Sequence, residues 1–192
     1  MVIEIREIQP EDYAVVGDLT LRAYDTAKVI HGEYRDWLAN PAERLDECTA
    51  LWVAEVDDRV VGTLTHVRPG DHGWEHQPGA GDCGFRVLAV DPEVEGAGVG
   101  AALVEHVIER ARRDGCHRMV ITSMEFMTRA HGIYERRGFV RRPDLDVSYP
   151  SGIGLVYTLD LTEGAVSLFP PPGAVPAEPP WFEDVVHERD LL

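Results

Sequence analysis

The chain has 192 residues, 44% hydrophobic and 27% charged, a composition that suits one soluble domain plus an appendage. Its formal net charge of −16 argues against a nucleic-acid partner and admits a cationic amine. No apolar run reaches the ~20 residues a membrane span requires, so no membrane partner is expected.

In chain order, Val2 to Ile8 alternates Ile3, Ile5 and Ile8 with Glu4, Arg6 and Glu7, which predicts a first strand. Pro10-Glu11-Asp12 reads as a helix start. Val15, Val16, Leu19, Ala23 and Ala27 continue that helix, and His31-Gly32 ends it. Glu33 to Leu38 predicts a short second helix and Pro41 to Leu45 a further turn. Leu51 to Val56 and Val60 to Val67 are strands that Asp57-Asp58-Arg59 joins as a hairpin. The glycine-rich stretch from Arg68 to Asp82 is long for a connection, and such loops are often functional. His66, His72 and His76 raise the question of a metal, but no regular element fixes their spacing. A substrate-covering loop is the reading taken, with no metal.

The densest signal runs from Leu88 to Gly100. A short apolar strand, Phe85 to Val90, stops at Asp91-Pro92, because proline cannot donate to a continuing ladder. Gly96-x-Gly98-x-Gly100 follows, and Val99, Leu103, Val104, Val107, Ile108 and Ala111 then recur at helical spacing up to a stop at Gly115. Strand, glycine turn and helix outline a phosphate cradle: the backbone approaches closely and free N–H groups favour an anion. A P-loop would need a lysine that is not there. The dinucleotide fingerprint is met in degenerate form by Gly96-x-Gly98-x-x-Ala101. However, Asp91 to Glu95 separate it from its strand, and no strand-end acid follows about 20 residues on.

Beyond Gly115, His117 to Ser123 predicts a strand, Met127 to Arg137 a helix with Gly138 at its left-handed stop, and Phe139 to Arg142 and Gly152 to Asp160 the closing strands. From residue 162 the composition changes, with six of the 13 prolines between Pro170 and Pro180. Residues 162–192 therefore read as a proline-rich arm with a short amphipathic end, for which docking on its own domain, docking on a second copy in a homodimer, and disorder are all open. The N-terminal residues lack the basic-then-apolar order of a signal peptide. Cys48, Cys83 and Cys116 lack metal-type spacing and suit reduced thiols, so the expected compartment is the cytoplasm. Arginines gather near the cradle: residues 101–142 hold nine, against five acids.

Leu88-Ala-Val-Asp-Pro with Glu95-Gly-Ala-Gly-Val-Gly resembles motif A of the GNAT superfamily of N-acetyltransferases. Ala130-His-Gly-Ile-Tyr134-Glu-Arg-Arg-Gly138-Phe139 resembles its motif B. Both stand in the usual order, and the resemblance covers residues 2–161. It implies one mixed α/β domain whose six- to seven-stranded, mostly antiparallel sheet carries helices on both faces. It also implies a splay between the fourth and fifth strands, where the pantetheine of acetyl-CoA inserts.

The loop of Glu95, Gly96, Ala97, Gly98, Val99, Gly100 and Ala101 would then hold the pyrophosphate. The N–H groups of Leu88, Ala89 and Val90 would face the thioester. A primary amine, on a small molecule or a peptide, would attack directly through a tetrahedral intermediate, with Tyr134 giving a proton to the thiolate. Tyr24, His31, Glu33, Tyr34 and Trp37 would line the acceptor side. Three positions depart from the pattern. Glu95 replaces the usual Gln or Arg, Met127 an Asn, and Gly84 the frequent base, which leaves Asp82, Glu125 or a water chain for that role. A non-catalytic acyl-CoA binding module is the alternative, and a dinucleotide-binding protein a third reading.

Overall fold

In the computed structural model the described residues are 1–27, 31–68, 71, 81–149 and 152–162. The sheet has strands β1 (Glu4–Glu7), β2 (Ala50–Val56), β3 (Arg59–Val67), β4 (Asp82–Val90), β5 (Arg118–Met124), β6 (Val140–Arg141), β7 (Val147–Tyr149) and β8 (Gly152–Asp160). Its order is β1-β2-β3-β4-β5-β8-β6, with β7 also on β8, and every pairing is antiparallel except β4–β5. The mixed, mostly antiparallel sheet is as expected, but the strand count is eight rather than six or seven. The extra strand is β7. It follows Pro143 too closely to read as a separate element, and its pairing with β8 makes it a strand.

The helices are α1 (Tyr13–Ala27), α2 (Gly32–Ala39), α3 (Pro41–Asp46), α4 (Val99–Arg113) and α5 (Thr128–Arg136). Alternating side chains of β2 assign them to faces. Leu51 and Val53 pack with Val16 of α1, whereas Trp52, Ala54 and Val56 join Val99, Leu103, Val104 and Val107 of α4 in the main core. Tyr134 of α5 lies in that second core, so α1 and α4–α5 cover opposite faces. The six apolar residues that predicted α4 are all buried, which is the stripe a helix needs to cover a sheet.

Local chemistry sets several boundaries. Asp57 and Asp58 have φ of 50° and 59°, the left-handed pair of a two-residue hairpin turn, so Arg59 belongs to β3 rather than to the turn. Pro10–Asp12 forms a 3-10 turn ahead of α1. His31 does not end α1 but precedes α2 as its N-cap. Residues 69, 70 and 72–80, with the substrate-covering loop expected there and His72 and His76, lie outside the described residues. So does the arm from residue 163 onward.

Candidate active site

The site follows from how β4 ends. Asp82 and Cys83 pair with Arg118 and Met119 of β5, and the two parallel strands are paired nowhere further along. On its other edge β4 stays paired with β3 as far as Val90, which faces Gly62. The strands therefore part like a V, closed at Asp82 and open at Val90. The Asp91 N–H donates to the Val61 carbonyl at 2.9 Å, so the preceding N–H, that of Val90, points the opposite way, into the open V. Between Arg86 and Ala89 the β3 register slips, and Val87 holds a left-handed φ of 50°. A β-branched residue reaches that conformation only where the surroundings impose it. The bulge turns Val87 toward Leu38, Tyr24, Tyr34 and Trp37 on the α1–α2 face.

At the open end the chain enters α4 through the glycine loop. Gly96 and Gly98 have φ of 83° and 89°, and a Cβ at either would meet nothing within 4 Å. Gly98 is the N-cap of α4 and offers no side chain to the helix, so the N–H groups of Val99, Gly100 and Ala101 have no partner from an earlier turn. Gly100 is glycine for another reason: a Cβ there would lie 3.1 Å from Ile133 of α5 and 3.4 Å from Val90. The helix start is thus pressed against the V, with open space before it, a geometry that fits a pyrophosphate. Arg22 of α1 steadies the loop by gripping Asp91 with both nitrogens, at 2.8 and 3.1 Å. That bond holds the Asp91 carboxyl below the usual range, and Asp91 also accepts from the Glu93 N–H at 3.0 Å. Sequence reading missed this clamp, whose only local signal is an acid before a proline.

Glu95 forms an ion pair with Arg129 at the start of α5. Its charge is therefore answered within the site, although the pair is exposed. Tyr134 is buried among Phe85, Phe139 and Tyr157, with ring centroids at 5.7, 5.8 and 5.7 Å. Burial raises its phenol above the ordinary range, opposed by the neighbouring hydroxyl of Ser123 on β5, so the group stays protonated. Met127 caps α5 without any side-chain hydrogen bond, and Gly84 is a buried β4 residue with no carboxylate to offer.

The two carboxylates expected as bases separate. Asp82 is 2% exposed, its carboxylate 2.6 Å from the equally buried guanidinium of Arg118, at the closed end of the V. Register places it there, where it straps β4 to β5. Glu125 stands at the open end just past β5. It is exposed and accepts from the Ile153 N–H at 3.2 Å. Of the residues expected to line the acceptor, Tyr24, Tyr34 and Trp37 come together, with Tyr34 and Trp37 stacked at 5.7 Å, whereas His31 and Glu33 are exposed at the start of α2. Sequence reading missed Arg86, which lies 4.7 Å over the Trp37 ring, and Arg44.

Known proteins resemble this chain in sequence and in fold. The chain is 33% identical to a mycothiol acetyltransferase of Geodermatophilus obscurus over 136 residues, 67% of this chain and 42% of the relative. It is 33% identical to human N-acetyltransferase 8B over 98 residues, 50% of this chain and 40% of the relative. The chain thus spans less than half the length of these curated relatives. Among solved structures, a PaiA N-acetyltransferase of Thermoplasma acidophilum in complex with coenzyme A superposes with a TM-score of 0.67 at 17% identity. That match covers 83% of this chain and 99% of that one. The ribosomal-protein-S18-alanine N-acetyltransferase of Escherichia coli gives 0.64 at 15%, over 88% and 99%. A GNAT family acetyltransferase of Brucella melitensis in complex with acetyl-CoA gives 0.58 at 20%, over 84% and 89%. These likenesses show the fold. The sequence profile of the acetyltransferase (GNAT) family matches residues 4–139, the span that holds the V, the glycine loop and Tyr134, and the chain belongs to that family.

Proposed function

We propose that the chain is an N-acetyltransferase that moves the acetyl group of acetyl-CoA to a primary amine. The observation that carries this reading is the splay of β4 from β5 beside an uncapped helix start, which together offer an extended slot and an anion cradle. Gly96 to Ala101 hold the pyrophosphate, and the open edge of β4 from Leu88 to Val90 holds the arm that follows it. The Val90 N–H stabilises the oxygen that gains charge as the amine attacks. Tyr134, kept protonated by burial, donates to the departing thiolate. Glu125, at the open end, is the carboxylate able to take the proton of the amine, directly or through water. The free thiols of Cys48, Cys83 and Cys116 accord with a reducing cytoplasm, and no described helix is long and apolar enough to cross a membrane.

The test is to incubate purified protein with acetyl-CoA and a panel of amines and to follow products by mass spectrometry. Acetylated amine with stoichiometric coenzyme A release is expected. Tight coenzyme A binding without turnover of any amine would favour the acyl-CoA binding module, and stabilisation by NADH rather than acetyl-CoA the dinucleotide reading.

A further inference from the structure

The α1–α3 side of the sheet holds a charge that no described residue neutralises. Arg44 of α3 is fully buried, and its hydrogen bond from Nη2 to Thr20 Oγ1 is long, at 3.4 Å. Among the described residues its Nε and Nη1 have no hydrogen-bond partner. An unpaired buried guanidinium is among the most unfavourable groups a fold can retain, because it has lost its water and gained no anion. The groups that act on it most strongly are Tyr24 of α1, Tyr34 of α2, Cys48 and Arg86 of β4, none of them a carboxylate. Burial, with repulsion from Arg86, pushes the Arg44 guanidinium down to about 10, so it remains charged at neutral pH. An anion beside Arg44 would relieve it.

This cluster adjoins the site. Arg86 is on β4, four residues before Val90, about 13 Å along an extended strand and less across the bulge at Val87. That span is covered by one arginine side chain and one small molecule. The aromatic side chains on this side, Tyr24, Tyr34 and Trp37, are half-buried, so the cluster is not covered by a fully sealed layer.

We propose that the acceptor amine also carries a carboxylate, as an amino acid does, and that Arg44, assisted by Arg86, receives it between α1, α2, α3 and β4. This deepens the acetyltransferase reading and rests on it. The planar guanidinium matches a carboxylate with two parallel hydrogen bonds, a geometry that lysine does not offer. Such an acceptor is a zwitterion, so the acidic chain does not repel it.

The experiment compares coenzyme A release with matched acceptors: α-, β- and γ-amino acids against the same amines with the carboxylate replaced by methyl or carboxamide. For wild type, kcat/KM should favour the carboxylated member by on the order of 10- to 100-fold, the worth of a charged hydrogen-bonded contact. Arg44→Met should collapse that ratio toward one, and Arg44→Lys should restore part of it. Arg44→Met also removes an unpaired buried charge, so its melting temperature should hold or rise; a fall would assign Arg44 a structural role and overturn the proposal. Equal turnover of matched pairs, or a preference that survives Arg44→Met, overturns it too and leaves the acetyltransferase reading standing. If no acceptor turns over, calorimetry of the coenzyme A-saturated protein with the same amino acids decides. Binding that Arg44→Met abolishes supports the proposal, and no binding overturns it. Failure of wild type to bind acetyl-CoA overturns the underlying reading and this proposal with it.

Discussion

Tyr134→Phe separates catalysis from packing at the centre of the site. Phenylalanine keeps the ring and its contacts with Phe85, Phe139 and Tyr157, so stability should change by less than about 1 kcal/mol. What disappears is one proton, held on the phenol because burial raises its pKa above the ordinary value near 10. General acids contribute roughly 10²- to 10⁴-fold, so the single-turnover rate should fall at least ~10²-fold, about 2.7 kcal/mol of transition-state stabilisation. Acetyl-CoA affinity, measured by calorimetry, should be nearly unchanged, because the loss belongs to the transition state. The raised pKa also has a direction: the acid form persists as pH rises, so the wild-type rate should show no loss from this group between pH 7 and about 9. The assay is rapid-quench single turnover at saturating amine, which a slow release step cannot mask. A rate within about twofold of wild type would refute the role and leave Tyr134 as a packed helix residue.

Glu95→Gln should free Arg129 and tighten acetyl-CoA binding about fivefold at low salt and less at high salt, since the pair is exposed. Unchanged affinity at both salt concentrations would place the pair away from the donor. His66 is fully buried and held neutral, its pKa lowered to about 4 by burial and by Arg68. A depressed histidine leaves stability intact above its unfolded value near 6.5 and costs stability as pH falls toward 4, by roughly 3 kcal/mol in all. His66→Leu should flatten that dependence in urea titrations at pH 7.5 and 5, and an unaltered slope would contradict the assignment. Asp82→Asn should lower stability by about 3–5 kcal/mol by breaking the buried ion pair with Arg118, which at this size is on the order of a 10 °C drop in melting temperature. Lost turnover with an unchanged melting temperature would instead return Asp82 to the role of base.

The parts of this protein written in the sequence are those that depend on neighbours a few residues apart. The buried stripe of α4, the Asp57-Asp58 turn, the glycines of the cradle and the stop at Gly138 (φ of 85°) each answer a local demand of period or backbone angle, and each was legible. The short motifs around Gly98 and Tyr134 pointed to the family for the same reason. What tertiary structure decided was which distant groups meet. Arg22 clamps Asp91 from 69 positions away, and Arg118 holds Asp82 from 36. Arg129 answers Glu95, and Arg44 is buried on the α1–α3 side of the sheet. The bulge at Val87 and the splay beyond Cys83 belong with these, because they arise where β3 and β5 impose different courses on the two edges of one strand. A strand records in its own sequence which residues are apolar. The register of its neighbours determines which face each side chain takes and which N–H groups are left without a partner.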